Sequence, residues 1–237
     1  MNQNSLATIA FRSFALVVVL VGAQQGQAQD AQSPYPTMAP LDQYLMERNA
    51  EIALSRSAAP ESISADAEIM VLKRTGYEAA VKGTNGFVCL VERSWFAGTD
   101  DPEFWNPKLR APICFNAPAA RSQVPLTIKR TELALEGQSK AQISDAAKAA
   151  REKQELPTPE PGAMCYMMSK QGYLSDRDGH WRPHLMFFVP ETDPRVWGAG
   201  LSGSPIIAFT GSPEGVTVFL VPLEQWSDGT PAPSGHH

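Results

Sequence analysis

The densest cluster of side chains able to do chemistry is Asp176-Arg177-Asp178-Gly179-His180-Trp181-Arg182-Pro183-His184, which contains both internal histidines; His236 and His237 stand at the end of the chain. Imidazoles and carboxylates this close in sequence serve as metal ligands or as acid and base. A second group runs from Arg93-Ser94-Trp95-Phe96 to Asp101-Pro102-Glu103-Phe104-Trp105-Asn106. Trp and Arg combine apolar area with a polar handle and are favoured on recognition surfaces. Arg93, Trp95, Asp101, Glu103 and Trp105 are therefore candidate ligand contacts, together with His180, Arg182 and His184. Glu92, Asp101 and Glu103 also offer the carboxylates that a glycosidase-type hydrolase needs at a defined separation. The third group is the cysteines, Cys89, Cys114 and Cys165.

Spacing narrows these options. Asp178-Gly179 reads as the turn of a hairpin joining residues 164–173 to 180–189. That turn sets His184 opposite Tyr173 and about 26 Å along the ladder from Cys165, too far for a Cys–His dyad. His180 and His184 share a strand face but lie roughly 13 Å apart, too far for one metal ion. A calcium loop starting at Asp176 would need Glu at its twelfth position, where Phe187 stands. His184-Leu185-Met186 resembles the H-x-M element of the small periplasmic copper chaperones, with Met164, Met167 and Met168 as soft sulfur donors. The resemblance implies a soft-metal carrier as an alternative function, but the family pattern needs an upstream His and no His precedes His180. Gly198-Ala199-Gly200-Leu201-Ser202-Gly203 matches the dinucleotide-binding letters without the strand and helix that must flank them, so it reads as a glycine loop. Gly200-Leu201-Ser202-Gly203-Ser204 lacks the last glycine of a nucleophile elbow. No cofactor and no metal is implied, and no residue acquires a catalytic role.

Composition sets the wider frame. The chain has 237 residues, 43% hydrophobic and 19% charged, with net charge −5. That suits one globular domain and argues against a nucleic-acid partner. Arg12 precedes the apolar run of residues 14–21, followed by small and polar residues ending Gly26-Gln27-Ala28, the layout of a secretory signal. The run is about half of the roughly 20 residues that span a bilayer. Residues 1–28 are expected to be a cleaved signal peptide, with a second option after Ala23, leaving a periplasmic or extracellular protein without a stable membrane anchor. In that compartment thiols pair, and Cys89 and Cys114, in two short apolar runs flanking one Pro-rich loop, are the expected disulfide, worth roughly 3 kcal/mol. Cys165, among Met164, Tyr166, Met167 and Met168, is expected to be a buried thiol.

The elements that must position these groups follow from periodicity. Residues 29–39 read as a flexible leader, 40–228 as a single domain and 229–237 as a polar tail. A helix is expected over 40–56, then an antiparallel three-strand meander over 68–74, 77–81 and 87–95, with Asn85-Gly86 as a hairpin turn. Residues 126–135 fit strand or helix. Ser139-Lys140-Ala141-Gln142 is a capping box opening a helix to about Gln154. Pro157, Pro159 and Pro161 form a stiff connector, and strands close the chain at 164–170, 184–189, 216–221 and, more weakly, 206–209. The expected fold class is α+β, an antiparallel sheet with packed helices, its element order like that of profilin or PAS domains. The function this suggests is non-catalytic binding of a small molecule or a protein, with a carboxylate-dependent hydrolase as the alternative.

Overall fold

The computed structural model describes residues 33–233; the expected signal peptide and the end of the tail lie outside the described residues. Eight strands, β1 Glu68–Lys73, β2 Gly76–Val81, β3 Val88–Glu92, β4 Ala111–Phe115, β5 Met164–Met167, β6 His184–Pro190, β7 Ile207–Phe209 and β8 Val216–Pro222, form one sheet in the order β2-β1-β3-β4-β5-β6-β8-β7. The helices are α1 Arg48–Arg56, α2 Glu61–Ser64, α3 Ala117–Ser122, α4 Val124–Leu135 and α5 Lys140–Glu152. The class is α+β, as the periodicity indicates.

Local chemistry explains α1, α4 and α5. α1 begins only after a short 3-10 turn, Leu41–Gln43, because Glu47 caps it by accepting from the Ala50 amide at 2.9 Å. The ambiguous 126–135 stretch is helical: Val124, Thr127, Thr131 and Ala134 recur at three- and four-residue spacing and are buried. α5 opens on the Ser139–Gln142 capping box. Met70, Leu90, Ile113, Phe115, Cys165 and Phe188 form one core against Ala119, Val124 and Ile128 of α3 and α4. Alternation along the same strands turns Ile69, Cys89 and Cys114 to the other face, where Ile52 of α1 and Ala58, Ala59 and Ala67 cover them.

Three expectations about the sheet are corrected. It is mixed, because β3 pairs with β1 in parallel, Glu68 with Val88 and Ile69 with Cys89, instead of continuing a meander from β2. Asn85-Gly86 is not a hairpin turn: the Asn85 side chain accepts from the Phe87 amide at 3.0 Å and donates to the Ile63 carbonyl at 2.7 Å, and the Thr84 amide donates to the Asp66 carbonyl at 2.8 Å. These bonds carry the chain across the start of β1, and Gly83 passes so close that a Cβ there would lie 2.1 Å from the Glu68 nitrogen. The β5–β6 register also differs. His184 faces Met167, not Tyr173, and Cys165 faces Met186. Residues 168–183 leave the ladder because Trp181 folds back onto Gly172, the Met168 amide donates to the Ala58 carbonyl and Tyr173 bridges to Arg110.

Cys89 and Cys114 are register partners and form the disulfide, leaving Cys165 as a buried free thiol. Three ladder pairs separate this bridge from the aromatic loop, so it pins the far end of the β3–β4 hairpin and not the base of the loop.

The loop itself is held by charge. Arg93, 1% exposed, donates from Nη2 to Glu51 Oε1 at 2.8 Å, from Nε to the Tyr44 carbonyl at 2.8 Å and from Nη1 to the Val91 carbonyl. Glu51 Oε1 also accepts from the Leu72 amide at 3.1 Å, so one carboxylate joins α1, β1 and the end of β3. Breaking a buried pair from one side leaves an uncompensated charge, so Arg93→Leu is expected to lower stability by about 3–5 kcal/mol. Adding Glu51→Gln should restore part of that loss; urea unfolding followed by tryptophan fluorescence reads both, and equal stability of Arg93→Leu and the native chain contradicts the assignment.

Candidate functional site

The aromatic loop turns inward. Trp95 is 1% exposed and donates from Nε1 to Thr131 Oγ1 at 3.1 Å, with its ring 5.0 Å from that of Tyr44. Trp105 meets Phe104 edge-on at 4.7 Å, and its carbonyl accepts from the Tyr44 hydroxyl at 2.7 Å. Tyr44, Trp95, Phe104 and Trp105 join Leu72, Leu133 and Ile143 in a second core. Arg93, Trp95 and Trp105 are thus interior groups, and the apolar load that suggested recognition packs against α4 and α5.

Asp101 and Glu103 lie nearer the surface as braces. Asp101 accepts from the Glu103 amide at 2.7 Å; Glu103 accepts from Asn106 Nδ2 at 2.6 Å and from the Asp176 amide at 2.8 Å. Asp176 in turn accepts from the Tyr173 and Tyr35 hydroxyls and from Lys108 Nζ at 3.0 Å, bonds that hold its carboxyl well below the usual carboxylate range. The described end of the leader is therefore laid against the domain. At the other terminus the Ala232 amide bonds the Glu224 carbonyl and Arg182 Nη2 bonds the Pro233 carbonyl, so the start of the tail folds back too. His180 is exposed, with Nδ1 2.6 Å from the Gly172 carbonyl. His184 is buried, with Nδ1 2.7 Å from the Arg182 carbonyl, and burial pushes its pKa down. The polar cluster that carries the histidines meets the aromatic loop through Asp176, whose amide donates to Glu103, and among the described residues no cluster of three or more His, Cys, Asp or Glu side chains is placed to hold a metal ion.

The surface that stands out is the β7 end of the sheet. Val196 is 72% exposed, Leu201 57%, Phe209 55% and Ile207 49%, and Trp197 is partly exposed. Ile207 and Phe209 lie on one face of β7, opposite Leu220 and Val218 of β8. On the other face Trp197 stacks on Phe219, ring centroids 4.4 Å apart and planes at 3°, with Phe187 at 5.7 Å. No residue from 196 to 213 is charged. Exposed apolar side chains gathered at one place, unlike scattered ones, mark interaction surfaces. In the sequence this region reads as a glycine loop and a weak strand without a binding role, because its apolar residues are spaced by Gly, Ser and Pro without a period; the missing charge was the available signal. No family model, curated protein or solved structure matches the chain.

One buried carboxyl remains. Glu92 accepts from Thr127 Oγ1 at 3.2 Å, and burial raises its pKa to about 8. Nearby Arg130 is committed to Glu214 at 3.3 Å and to the Trp95 and Ala97 carbonyls at 3.2 and 2.8 Å, and lies over the Phe96 ring. Glu92 is thus protonated at neutral pH. A carboxyl that keeps its proton to about pH 8 when folded and releases it near 4.5 when unfolded weakens the fold as pH rises through that window. Glu92→Gln, which preserves the acceptor for Thr127, should leave stability at pH 4.5 nearly unchanged and raise it at pH 8 by on the order of 3 kcal/mol. Denaturant titrations at the two pH values check this; an equal effect at both contradicts it.

Proposed function

We propose that this chain is an exported, non-catalytic binding module that recognises another polypeptide through the open β7 end of its sheet. The observation that carries the reading is an uncharged stretch at a sheet edge that exposes Ile207 and Phe209 on one face of the sheet, and Val196, Trp197 and Leu201 on the turn whose Trp197 packs on the other. An edge strand offers a row of backbone donors and acceptors, which an added strand satisfies while its side chains meet those of the edge. Export is supported by the signal layout and by the Cys89–Cys114 bridge, stable in an oxidising compartment. Among the described residues no helix is long and apolar enough to cross a membrane. The profilin- or PAS-like element order is an analogy that lends no function.

The hydrolase alternative has one observation in its favour, the protonated Glu92, which has the character of a general acid. Against it, Asp101 and Glu103 serve as acceptors within the loop, and Glu214 is paired with Arg130. A photo-crosslinking side chain at position 209, in protein made in its own compartment, should form covalent adducts with polypeptide. The same group at exposed Glu136 should not. Absence of adducts at 209 contradicts the reading.

A further inference from the structure

We propose that the polypeptide docked at β7 is a second copy of this chain: the two β7 strands pair antiparallel about a two-fold axis at Ala208, joining the two sheets edge to edge. The inference rests on the binding reading above and names its partner. Four features favour a second copy.

Among the described residues β7 ends the sheet with β8 as its one strand neighbour, and the outer side of such an edge strand offers backbone groups to a further ladder. The strand is also self-complementary. Ile207 and Phe209 flank Ala208 on one face, so antiparallel pairing about Ala208 sets Ile207 against Phe209 of the second copy and Phe209 against its Ile207. These are aromatic–β-branched cross-strand pairs, among the more stabilising kinds.

Charge selects this edge over the other one. The mature chain carries 19 basic and 25 acidic residues, since the signal segment holds one Arg and no acid. Most contacts between two copies of an acidic protein bring like charges together. Residues 196–213 carry none. The opposite edge strand, β2, presents exposed Glu78, with Lys82 just beyond it, and Arg48 Nη2 donates to the Ala80 carbonyl at 2.7 Å, devices that blunt edges against pairing.

Finally, closure limits the assembly to two. An isologous contact uses the same patch on both copies and leaves no free β7 edge, so the pairing ends at a dimer. A three-residue ladder alone is small beside a standard interface of about 1,600 Å². Val196, Trp197 and Leu201, exposed on the turn whose Trp197 lies over β8 and β6 on the opposite face, supply further apolar area at this end of the sheet.

Sedimentation velocity of the chain beginning at Gln29 tests the proposal, from about 1 to about 100 μM. The mass should move from one copy to two across that range. Phe209→Lys should weaken the dimer by at least tenfold while its thermal unfolding matches that of the native chain. Ala208→Cys should give a reducible covalent dimer, because the axis sets the two thiols opposite each other, whereas Thr210→Cys, with its thiols about 13 Å apart, should not. A monomer at every concentration, with position 209 crosslinked to polypeptides other than this chain, overturns the second copy and leaves the binding reading standing. A monomer without adducts at 209 overturns both. A dimer indifferent to Phe209→Lys and to Ala208→Cys places the contact elsewhere and overturns the proposal.

Discussion

Arg93 follows β3 directly, and its guanidinium is enclosed with the Glu51 carboxylate and the Tyr44 and Val91 carbonyls around it. Such a charge is tolerated in an interior only where its donors are met, so α1, the segment through Tyr44 and the end of β3 have one mutual arrangement that satisfies it. That arrangement aims the following residues inward. Trp95 enters the space under α4, Tyr44 lies against it and Trp105 hangs from the Tyr44 hydroxyl. A buried pair often adds little net stability over apolar residues of the same volume; this one ties together two residues 42 apart in sequence.

A second buried pair completes the arrangement. Arg130 of α4, held by Glu214 ahead of β8, bonds the Trp95 and Ala97 carbonyls, so the loop is clamped from the helix side as well. With α1 on one face and α3 and α4 on the other, the β1–β5 half of the sheet is covered. β6 and β8 share that core through Phe188 and Val216, while Phe187 and Phe219, on their other face, meet the short turn bearing Trp197. Aromatic residues that look like a recognition surface are consumed in packing, and the exposed apolar residues fall at the β7 end of the sheet.

What the sequence disclosed follows the range of each interaction. The Ser139–Gln142 capping box spans four residues and was legible, as were the β-like runs around Cys89 and Cys114, whose apolar character and shared Pro-rich loop made their pairing the expected one. The fate of the aromatic loop was not legible, because the partner of Arg93 stands 42 residues away and nothing local distinguishes a buried Arg–Trp segment from an exposed one. Asn85-Gly86 carries the letters of a hairpin, but a side-chain turn tied to Asp66 and Ile63 overrode them and sent β3 to the far side of β1. Asp178-Gly179 does form a local turn, with the Gly179 amide bonded to the Ser175 carbonyl, yet Trp181 packing on Gly172 moved the ladder away from it. At the β7 end the strand over 206–209 was legible, if weakly, but its exposure was not, because its apolar side chains come from a glycine-rich turn and a three-residue strand.

The central claim is that Trp95 and Trp105 are core while Trp197 and Phe209 are surface. Hydroxyl-radical footprinting of the native protein with peptide mass spectrometry reads all four positions in one sample. Rapid oxidation of Trp197 and Phe209 at dilute concentration, with Trp95 and Trp105 protected until the protein unfolds, is the expected result. Rapid oxidation of Trp95 and Trp105 in the native state, with protection at Trp197 and Phe209, contradicts it.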